Sequence, residues 1–402
     1  MQEAGFRYFY DYAHPISGLA RVGTTKDSDV CSIGGTGWTL YNLVVGSSRG
    51  FVTRDEAARR VVKILEFLSE KADRFHGAFP HWINGSSGKV VPFSQYDDGA
   101  DLVETAFLME GVILTREYFG AQNPTESKIR QLSDNLWRTV EWDWFAKEKD
   151  GCPVLIWHWS PKFAWKKDHA ISGFNECQIT YVLALASPTH PVAPKFYWQG
   201  WQCTNYGSTR TAFGVDLKLG RNLGPPLFWT HYSYLGLDPH QIFFDGKSYF
   251  DHFRDFCRVQ VLYADSKRDD FKGYGTLWGL TAGLGPNGYR AFAPGPLDNG
   301  TITPTAALSS MPYVPNESRA FLLNAYKQYG KQCWGPFGFY DALNPSENWF
   351  ARDYLSNEVG PIAPMIENYR SGLCWKTFMK APEIRSVVKL LSEPPRSSPA
   401  GG

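Results

Sequence analysis

The spacing of apolar and polar positions predicts a mostly helical chain. Residues 53–71 begin with Thr53-Arg54-Asp55-Glu56, which resembles a capping box, and continue with an apolar stripe of helical period. Similar periodicity predicts helices over residues 101–119, 125–142, 175–186, 249–263, 317–329, 353–378 and 382–391. Strand-like alternation is short, as in residues 88–92.

Long stretches rich in Gly, Pro and aromatic residues separate the predicted helices, notably 188–234 and 271–304. Loops of this length inside a compact domain are usually functional. We therefore expect an all-α fold whose long loops form a cleft on one face. Since α/α toroids commonly use this length for one domain, residues 1–391 are predicted to form a single domain, followed by a flexible Pro/Ser/Gly-rich tail over 392–402.

Composition narrows the class of ligand. The 41 basic and 40 acidic residues nearly cancel, so no broad field favours nucleic acid or a membrane surface as partner. The 15 Trp, 21 Tyr and 27 Phe often stand beside Gly, Pro, Asn or His. About half of such rings would fill a core, and the excess suits the flat platforms on which sugar rings stack.

The seven cysteines are scattered without metal-ligand spacing, so we expect mostly buried thiols and neither a zinc site nor a disulfide scaffold.

No stretch approaches transmembrane length. The N-terminus lacks the basic and apolar regions of a signal peptide, which also fits a mature chain whose leader was removed.

Four acids stand at the start of one apolar helix. Asp97, Asp101 and Glu104 are spaced i, i+4 and i+7, so they are predicted to converge on one face, where like charges raise one another's pKa. Asp98 suits a helix cap. Glu176 follows a Gly-containing loop and could supply the second carboxyl group that glycoside hydrolysis needs, or only complement a helix dipole.

Other signals are weaker. Glu347 and Trp349 have the character of cleft residues on a loop, whereas Glu367 and Arg370 are predicted to form a structural ion pair. The GxGxxG match at 283–288 lacks a flanking strand and helix, and is interpreted as a turn. The Gly-rich residues 34–37 predict a close approach beside Trp38, and His81 with Trp82, like His158, resembles a sugar-hydroxyl ligand more than a metal ligand.

Several of these segments, in this order, resemble the glycoamylase-like domain and, within it, glycoside hydrolase family 144. They are residues 34–38, 95–105, 173–176, 304–307 with 309–312, 335–342, 348–350, 360–361 and 366–370. The resemblance implies an (α/α)6 barrel and an inverting hydrolase of β-1,2-glucan that is exported to the periplasm or secreted, with no cofactor or metal. Whether the cut is internal or releases sophorose from a chain end is left open, and we expect a monomer.

The matched motifs imply Glu176, Asp101 and Glu104 as catalytic residues, with Glu176 favoured as proton donor. The predicted substrate contacts are Asp97, Gln95, Trp38, His81, Trp82, Glu347, Trp349 and Tyr369. Three alternatives stay open: a related transglycosylase, a polysaccharide lyase and a non-catalytic glycan-binding protein. A lyase would need a neutraliser for a uronate carboxylate, and a binding protein would not need mutually perturbing acids.

Overall fold

The computed structural model describes residues 1–25 and 27–392, and helices dominate this part of the chain. The α-helices are α1 Gln2–Asp11, α2 Ile33–Arg49, α3 Arg54–Glu70, α4 Leu102–Tyr118, α5 Pro124–Arg138, α6 Gln178–Ala186, α7 Tyr249–Ser266, α8 Pro304–Ser309, α9 Pro315–Cys333, α10 Ser356–Val359, α11 Ile362–Ser371, α12 Leu373–Phe378 and α13 Pro382–Ser392. Short 3-10 turns cover Trp142–Phe145, Leu227–Thr230 and Tyr232–Tyr234, and Phe196–Trp201 forms a π-helical turn.

The strands are short and pair antiparallel in twos and threes. They are β1 Val30–Ser32, β2 Trp82–Asn84, β3 Val90–Val91, β4 Ala100–Asp101, β5 Ala146–Lys149, β6 Cys152–Ile156, β7 His158–Trp159, β8 Ala170–Ile171, β9 Gly207–Ala212, β10 Val215–Leu219, β11 Phe243–Phe244, β12 Lys247–Ser248, β13 Ala282–Gly283, β14 Arg290–Ala291, β15 Trp334–Gly335, β16 Gly338–Phe339, β17 Leu343–Asn344 and β18 Trp349–Phe350. The three-stranded sheets are β1-β2-β3 and β5-β6-β8, and β4 pairs with β7. This last pair matters most, because it sets Asp101 opposite His158.

Most predicted helices are confirmed within a few residues, and the capping box of α3 forms with Thr53 and Glu56. The continuous helix predicted over 353–378 is wrong. It is divided into α10, α11 and α12, because Gly360 and Pro361 interrupt the first boundary and Gly372, at φ +68°, the second. The predicted helix over 125–142 ends at Arg138.

The glycine-rich residues 34–37 lie in the first turns of α2, which the hydrophobic pattern had not indicated as a helix. Residues 33–46 of α2 are all buried, so no polar face marks the helix in the sequence. Gly37 of α2 lies against the backbone of Phe107 in α4, where a Cβ would clash. The glycines therefore allow α2 and α4 to pack closely, as the predicted close approach required.

The helices divide into two kinds by burial. α2, α4, α6 and α8 are buried almost all round, whereas α3, α5 and α13 bury one face. α2 packs against α1, α3, α4 and α11, and α4 also packs against α5, α6 and α12. The helical character of the predicted fold is therefore confirmed.

Cys152 and Cys203 form a disulfide with a Cα–Cα distance of 6.3 Å, which the scattered spacing did not indicate. The other five cysteines are buried thiols, as predicted. Within the described residues, none of the helices has the length and apolar character needed to cross a bilayer. The predicted tail lies outside the described residues from position 393 onwards.

Candidate functional site

Asp101 caps the N-terminus of α4 and is completely buried. Its Oδ1 accepts hydrogen bonds from the backbone N–H groups of Val103 and Glu104, at 3.0 and 2.9 Å, and from the indole Nε1 of Trp157 at 2.8 Å. Its Oδ2 lies 2.8 Å from Nδ1 of His81. Both oxygens of Asp101 are therefore engaged by neighbouring groups of the protein.

Glu104 is held against the start of α2. Its Oε2 accepts hydrogen bonds from the backbone N–H of Gly34 at 2.7 Å and from the hydroxyl of Ser32 at 3.4 Å. A Cβ at position 34 would come within 2.7 Å of this oxygen, so a larger residue there would displace the Glu104 carboxylate. Burial and the charge of Asp101 raise the pKa of Glu104, although His81 and the Gly34 N–H partly offset them. The side chain keeps 14% of its surface exposed, which leaves it open to a ligand.

Positive charges balance this group of acids. Burial lowers the pKa of His81, but Glu104 and Asp101 raise it more, to about 9, so the imidazole is charged at neutral pH. For Asp97 the directions are reversed, because burial raises the pKa of a carboxyl group, whereas His158 and Lys167 lower it to about 2. The Lys167 ammonium lies 2.8 Å from Asp97. We call Asp97, Asp101, Glu104 and their basic partners His81, His158 and Lys167 the α4 acid cluster.

Ligand atoms of His81, Asp97 and Asp101 lie within 4.8 Å of one another, a spacing that could hold a cation. The site already contains two positive groups, because His81 is charged at neutral pH and Lys167 contacts Asp97. The donor set therefore fits a self-neutralised charge network better than a dedicated metal site.

Glu176 lies in the turn that leads into α6. Ser233 fixes this turn, since its hydroxyl donates to the Glu176 carbonyl and accepts a hydrogen bond from the Ile179 N–H at 3.0 Å. Burial raises the pKa of Glu176 from its ordinary value of 4.5 to about 7, and the charge of Glu104 contributes to the rise. Near neutral pH Glu176 therefore keeps a substantial protonated fraction, which is what a general acid needs.

Asp341 and Glu358 form a second pair of buried acids that the sequence analysis did not single out. Burial raises the pKa of Asp341 to about 7, and burial together with Asp341 raises that of Glu358 well above its ordinary range. Asp341 Oδ2 accepts a hydrogen bond from the Leu284 N–H at 2.5 Å, whereas Asp341 Oδ1 and Glu358 Oε2 have no partner among the described residues. A buried carboxylate oxygen without a partner can accept a bond from bound substrate or water.

Tyr232 connects this pair to Glu176. Burial raises the pKa of Tyr232 well above its usual range, and the charges of both Glu358 and Glu176 add to the rise, which places the two acids around the same phenol. The Tyr232 ring packs 4.7 Å from that of Trp38, and its hydroxyl donates to the Asn357 carbonyl at 3.1 Å. Glu104 of the α4 acid cluster lies close enough to Glu176 to perturb it, and Glu176 and Glu358 both act on Tyr232. We call the region around Tyr232 that these acids share the recess.

Four predicted substrate contacts belong to the α4 acid cluster or lie next to its members in the chain. His81 belongs to the α4 acid cluster, and half-buried Trp82 follows it on β2. Both rings pack against the exposed ring of Phe93, with centroid distances of 4.0 Å for His81 and 4.8 Å for Trp82. Asp97 is salt-bridged to Lys167, and exposed Gln95 precedes it by two residues.

Trp38 and Tyr369 are placed differently from these four residues. Trp38 is only 1% exposed, so it supports the site from beneath and cannot touch a ligand. Tyr369 lies near the C-terminal end of α11, where Glu367 pairs with Arg49 in the last turn of α2, at the opposite end of that helix from Gly34.

The remaining expectations concern the predicted ion pair of Glu367 with Arg370 and the predicted cleft residues Glu347 and Trp349. The predicted ion pair of Glu367 with Arg370 is wrong, because Glu367 binds Arg49 and Arg370 donates to Gln2. Glu347 is an exposed residue in the β17–β18 turn, 3.5 Å from the Asn344 amide, and no contact joins it to the acids. Trp349 follows on β18, where it pairs with Asn344.

One sequence signal could have revealed the Asp341–Glu358 pair. Asp341 interrupts an aromatic and apolar run, Phe339-Tyr340-Asp341-Ala342-Leu343, and Glu358 stands between Asn357 and Val359 shortly before Gly360. Acids are seldom fully buried without a partner, so an acid that interrupts an apolar run is a candidate functional residue. The two residues are 17 positions apart, however, and nothing in the sequence shows that they meet.

Comparisons with known proteins identify the family of this chain. The glycoamylase family model, described as "Putative glucoamylase", matches residues 168–382. The chain is 41% identical over 97% of its length to an exo β-1,2-glucooligosaccharide sophorohydrolase (non-reducing end) of Parabacteroides distasonis, and spans 57% of that protein. It is 43% identical to the endo-β-1,2-glucanase of Chitinophaga pinensis, crystallised with sophorotriose and glucose, with a TM-score of 0.93 and coverage of 97% of this chain and 96% of that one.

A more distant likeness concerns the fold alone. The endo-β-1,2-glucanase of Talaromyces funiculosus in complex with sophorose has a TM-score of 0.70 at 13% identity, covering 97% of this chain and 87% of that one. The close matches decide the family. The chain belongs to the glycoamylase family, as the ordered motifs predicted.

Proposed function

We propose that this protein is a glycoside hydrolase that cleaves β-1,2-glucan with inversion of configuration. The observation that carries the proposal is that Glu176, with a pKa near 7, lies beside Glu104 of the α4 acid cluster, in which His158 and Lys167 hold the pKa of Asp97 at about 2. Hydrolysis of a glycosidic bond needs one protonated and one ionised carboxyl group across the scissile bond. The β-1,2 linkage is supported by the names of the relatives from P. distasonis and C. pinensis.

Glu176 is assigned as the general acid. Burial keeps its proton near neutral pH, and the Ser233 hydroxyl fixes the turn that carries it. Protonation of the glycosidic oxygen by such a group contributes roughly 10²–10⁴-fold to the rate. Asp101 is assigned as a positioning residue, because it orients His81 and the Trp157 indole while staying inaccessible to substrate.

The structure offers two acceptors for the proton of the attacking water. Glu104 is partly exposed, but its Oε2 is engaged by Gly34 and its Oε1 lies 4.0 Å from charged His81. Asp341 has an unpartnered oxygen and a pKa of about 7, and burial together with Asp341 raises the pKa of neighbouring Glu358. The pH dependence of kcat in Glu104→Gln and Asp341→Asn decides between them. Replacing the general base removes the acidic limb of the pH–kcat profile, whereas replacing a residue that only binds substrate leaves that limb in place.

We also propose the (α/α)6 toroid as the architecture. The fully buried helices α2, α4 and α6 alternate along the chain with the half-buried α3 and α5, as inner and outer helices of a toroid would. The starts of these inner helices carry Gly34, Glu104 and, just before α6, Glu176. A toroid would thus gather the acids at the N-terminal ends of its inner helices, where helix dipoles act on them.

Export to the periplasm or the medium and a monomeric state remain proposals. The Cys152–Cys203 disulfide supports the first, because disulfides persist in oxidising compartments. The relatives' names include both an exo and an endo activity. The chain lengths of the products would show which mode of attack this protein uses.

Product analysis tests the proposed function. Purified protein is incubated with linear β-1,2-glucan, and with laminarin, cellulose and starch as controls, and new reducing ends and product sizes are measured. We expect sophorose or short β-1,2-gluco-oligosaccharides from the first substrate alone, and no turnover by Glu176→Gln. A non-catalytic glycan-binding protein would bind the polymer without releasing reducing ends.

A further inference from the structure

We propose that the ring of Tyr289 is a substrate platform on the wall of the recess formed by Asp341 and Glu358, and that its contact with the sugar governs KM. The inference rests on the proposed function and adds a substrate-contacting residue to it. Tyr289 follows the Gly-rich turn 285–288, within the long stretch 271–304 that was predicted to help form a cleft but in which this residue was not singled out.

The hydroxyl of Tyr289 is fixed at both of its hydrogen-bonding positions. It accepts a hydrogen bond from the Asn357 side-chain amide at 2.9 Å and donates one to Glu358 Oε1 at 3.3 Å. Since Asn357 and Glu358 are consecutive residues of α10, the phenol is anchored to a single rigid turn. The ring is therefore held in one orientation before a ligand arrives, which reduces the entropy cost of binding.

The hairpin that carries Tyr289 is attached to the acids at a second point. β13 and β14 pair Ala282 with Ala291 and Gly283 with Arg290, and Gly285 and Gly288 close the turn through two backbone hydrogen bonds of 3.0 Å. Just after β13, the Leu284 N–H donates to Asp341 at 2.5 Å. The hairpin thus contacts Asp341 through its backbone and Glu358 through Tyr289, and cannot move away without breaking both contacts.

The exposure of Tyr289 is unusual for a hydrogen-bonded phenol. The side chain is 51% exposed, although its surroundings raise the pKa of the hydroxyl well above its usual range through burial. The hydroxyl of Tyr289 thus reaches buried Glu358 while half of the side chain stays open to solvent. An aromatic face beside carboxylic acids in a recess is the combination that pyranose rings use, since the ring stacks on sugar C–H groups and the acids bind hydroxyls.

Tyr326 provides a matched control. It is 56% exposed, so it resembles Tyr289 in accessibility, but it lies on α9 and packs edge-on against Trp334 at 5.1 Å. A tyrosine that only covers the protein surface should behave like Tyr326. The two residues therefore separate a platform in the recess from an ordinary exposed ring.

The test compares kcat and KM on linear β-1,2-glucan for the wild type, Tyr289→Ala, Tyr289→Phe, Tyr289→Trp and Tyr326→Ala. We expect Tyr289→Ala to raise KM about tenfold with a much smaller change in kcat, as loss of one stacking contact predicts. Tyr289→Phe, which keeps the ring and loses its anchors, should raise KM about threefold. Tyr289→Trp should recover most of the loss, and Tyr326→Ala should match the wild type.

Two results would overturn the platform: an unchanged KM in Tyr289→Ala, or a fall confined to kcat. Circular dichroism checks the fold, and Tyr289→Leu replaces the alanine variant by the same criteria if that variant does not fold. Failure of the proposed function is distinguishable, because the wild type would then release no reducing ends from β-1,2-glucan. A wild type that is active, beside an alanine variant with normal KM, refutes the platform alone.

Discussion

Replacing Glu176 with glutamine should abolish turnover and stabilise the protein at high pH. The pKa of Glu176 rises on folding from 4.5 to about 7, a difference of 2.5 units. Each unit corresponds to about 1.4 kcal/mol, so ionised Glu176 costs about 3 kcal/mol of folding free energy above pH 7. The sign follows from the raised pKa: below pH 4.5 the group is protonated in both states and costs nothing, and the cost grows between pH 4.5 and 7.

Glu176→Gln keeps the shape of the protonated acid and removes the charge. We therefore expect its free energy of unfolding to equal that of the wild type at pH 4 and to exceed it by about 3 kcal/mol at pH 8, measured by urea titration followed by circular dichroism. Glu70→Gln, at an exposed position of α3, is the matched control and should show no such divergence. A variant equally stable with the wild type at pH 8 would refute the protonated, buried Glu176, and retained activity on β-1,2-glucan would refute its role as acid.

Two further substitutions test how the α4 acid cluster is held. Gly34→Ala should lower kcat about a hundredfold without unfolding the protein, because its Cβ would lie 2.7 Å from Glu104 Oε2 and displace that carboxylate. Gly120→Ala, where no atom lies within 4 Å of the added Cβ, serves as the control. A Gly34→Ala variant with the kcat of the wild type would contradict this constraint. Lys167→Met should raise the low pKa of Asp97 toward 3.8, so the variant should lose stability at pH 7 but not at pH 2, as urea midpoints at both values would show. Equal losses at both pH values would instead indicate that Lys167 contributes through packing.

The sequence predicted the parts of the fold that follow from local patterns. Amphipathic helices such as α3 bury one face, and their apolar period is visible along the chain. Helix α2 was not predicted from the sequence, because residues 33–46 are all buried and its first turn contains glycines, which disfavour a helix in isolation. Packing against α4 overrides that preference, because the glycines allow the two helices to approach closely.

The candidate site was predictable where its residues share one element. Asp101 and Glu104 flank one helix start, so their convergence follows from helical geometry. The roles within the group were not predictable, since the proposal of Asp101 as a positioning residue rests on its tertiary contacts with His81 and Trp157. The Asp341–Glu358 pair and its contact with Tyr289 bring together three separate segments, and such pairing is a property of the fold alone.

The most direct test of the central claim is the anomeric form of the product first released from linear β-1,2-glucan. Proton NMR during the first minutes of the reaction, before mutarotation, distinguishes the α- from the β-anomer. Inversion with Glu176 as acid predicts the α-anomer, and no product from Glu176→Gln. Initial release of the β-anomer, or of no reducing sugar at all, would contradict the account.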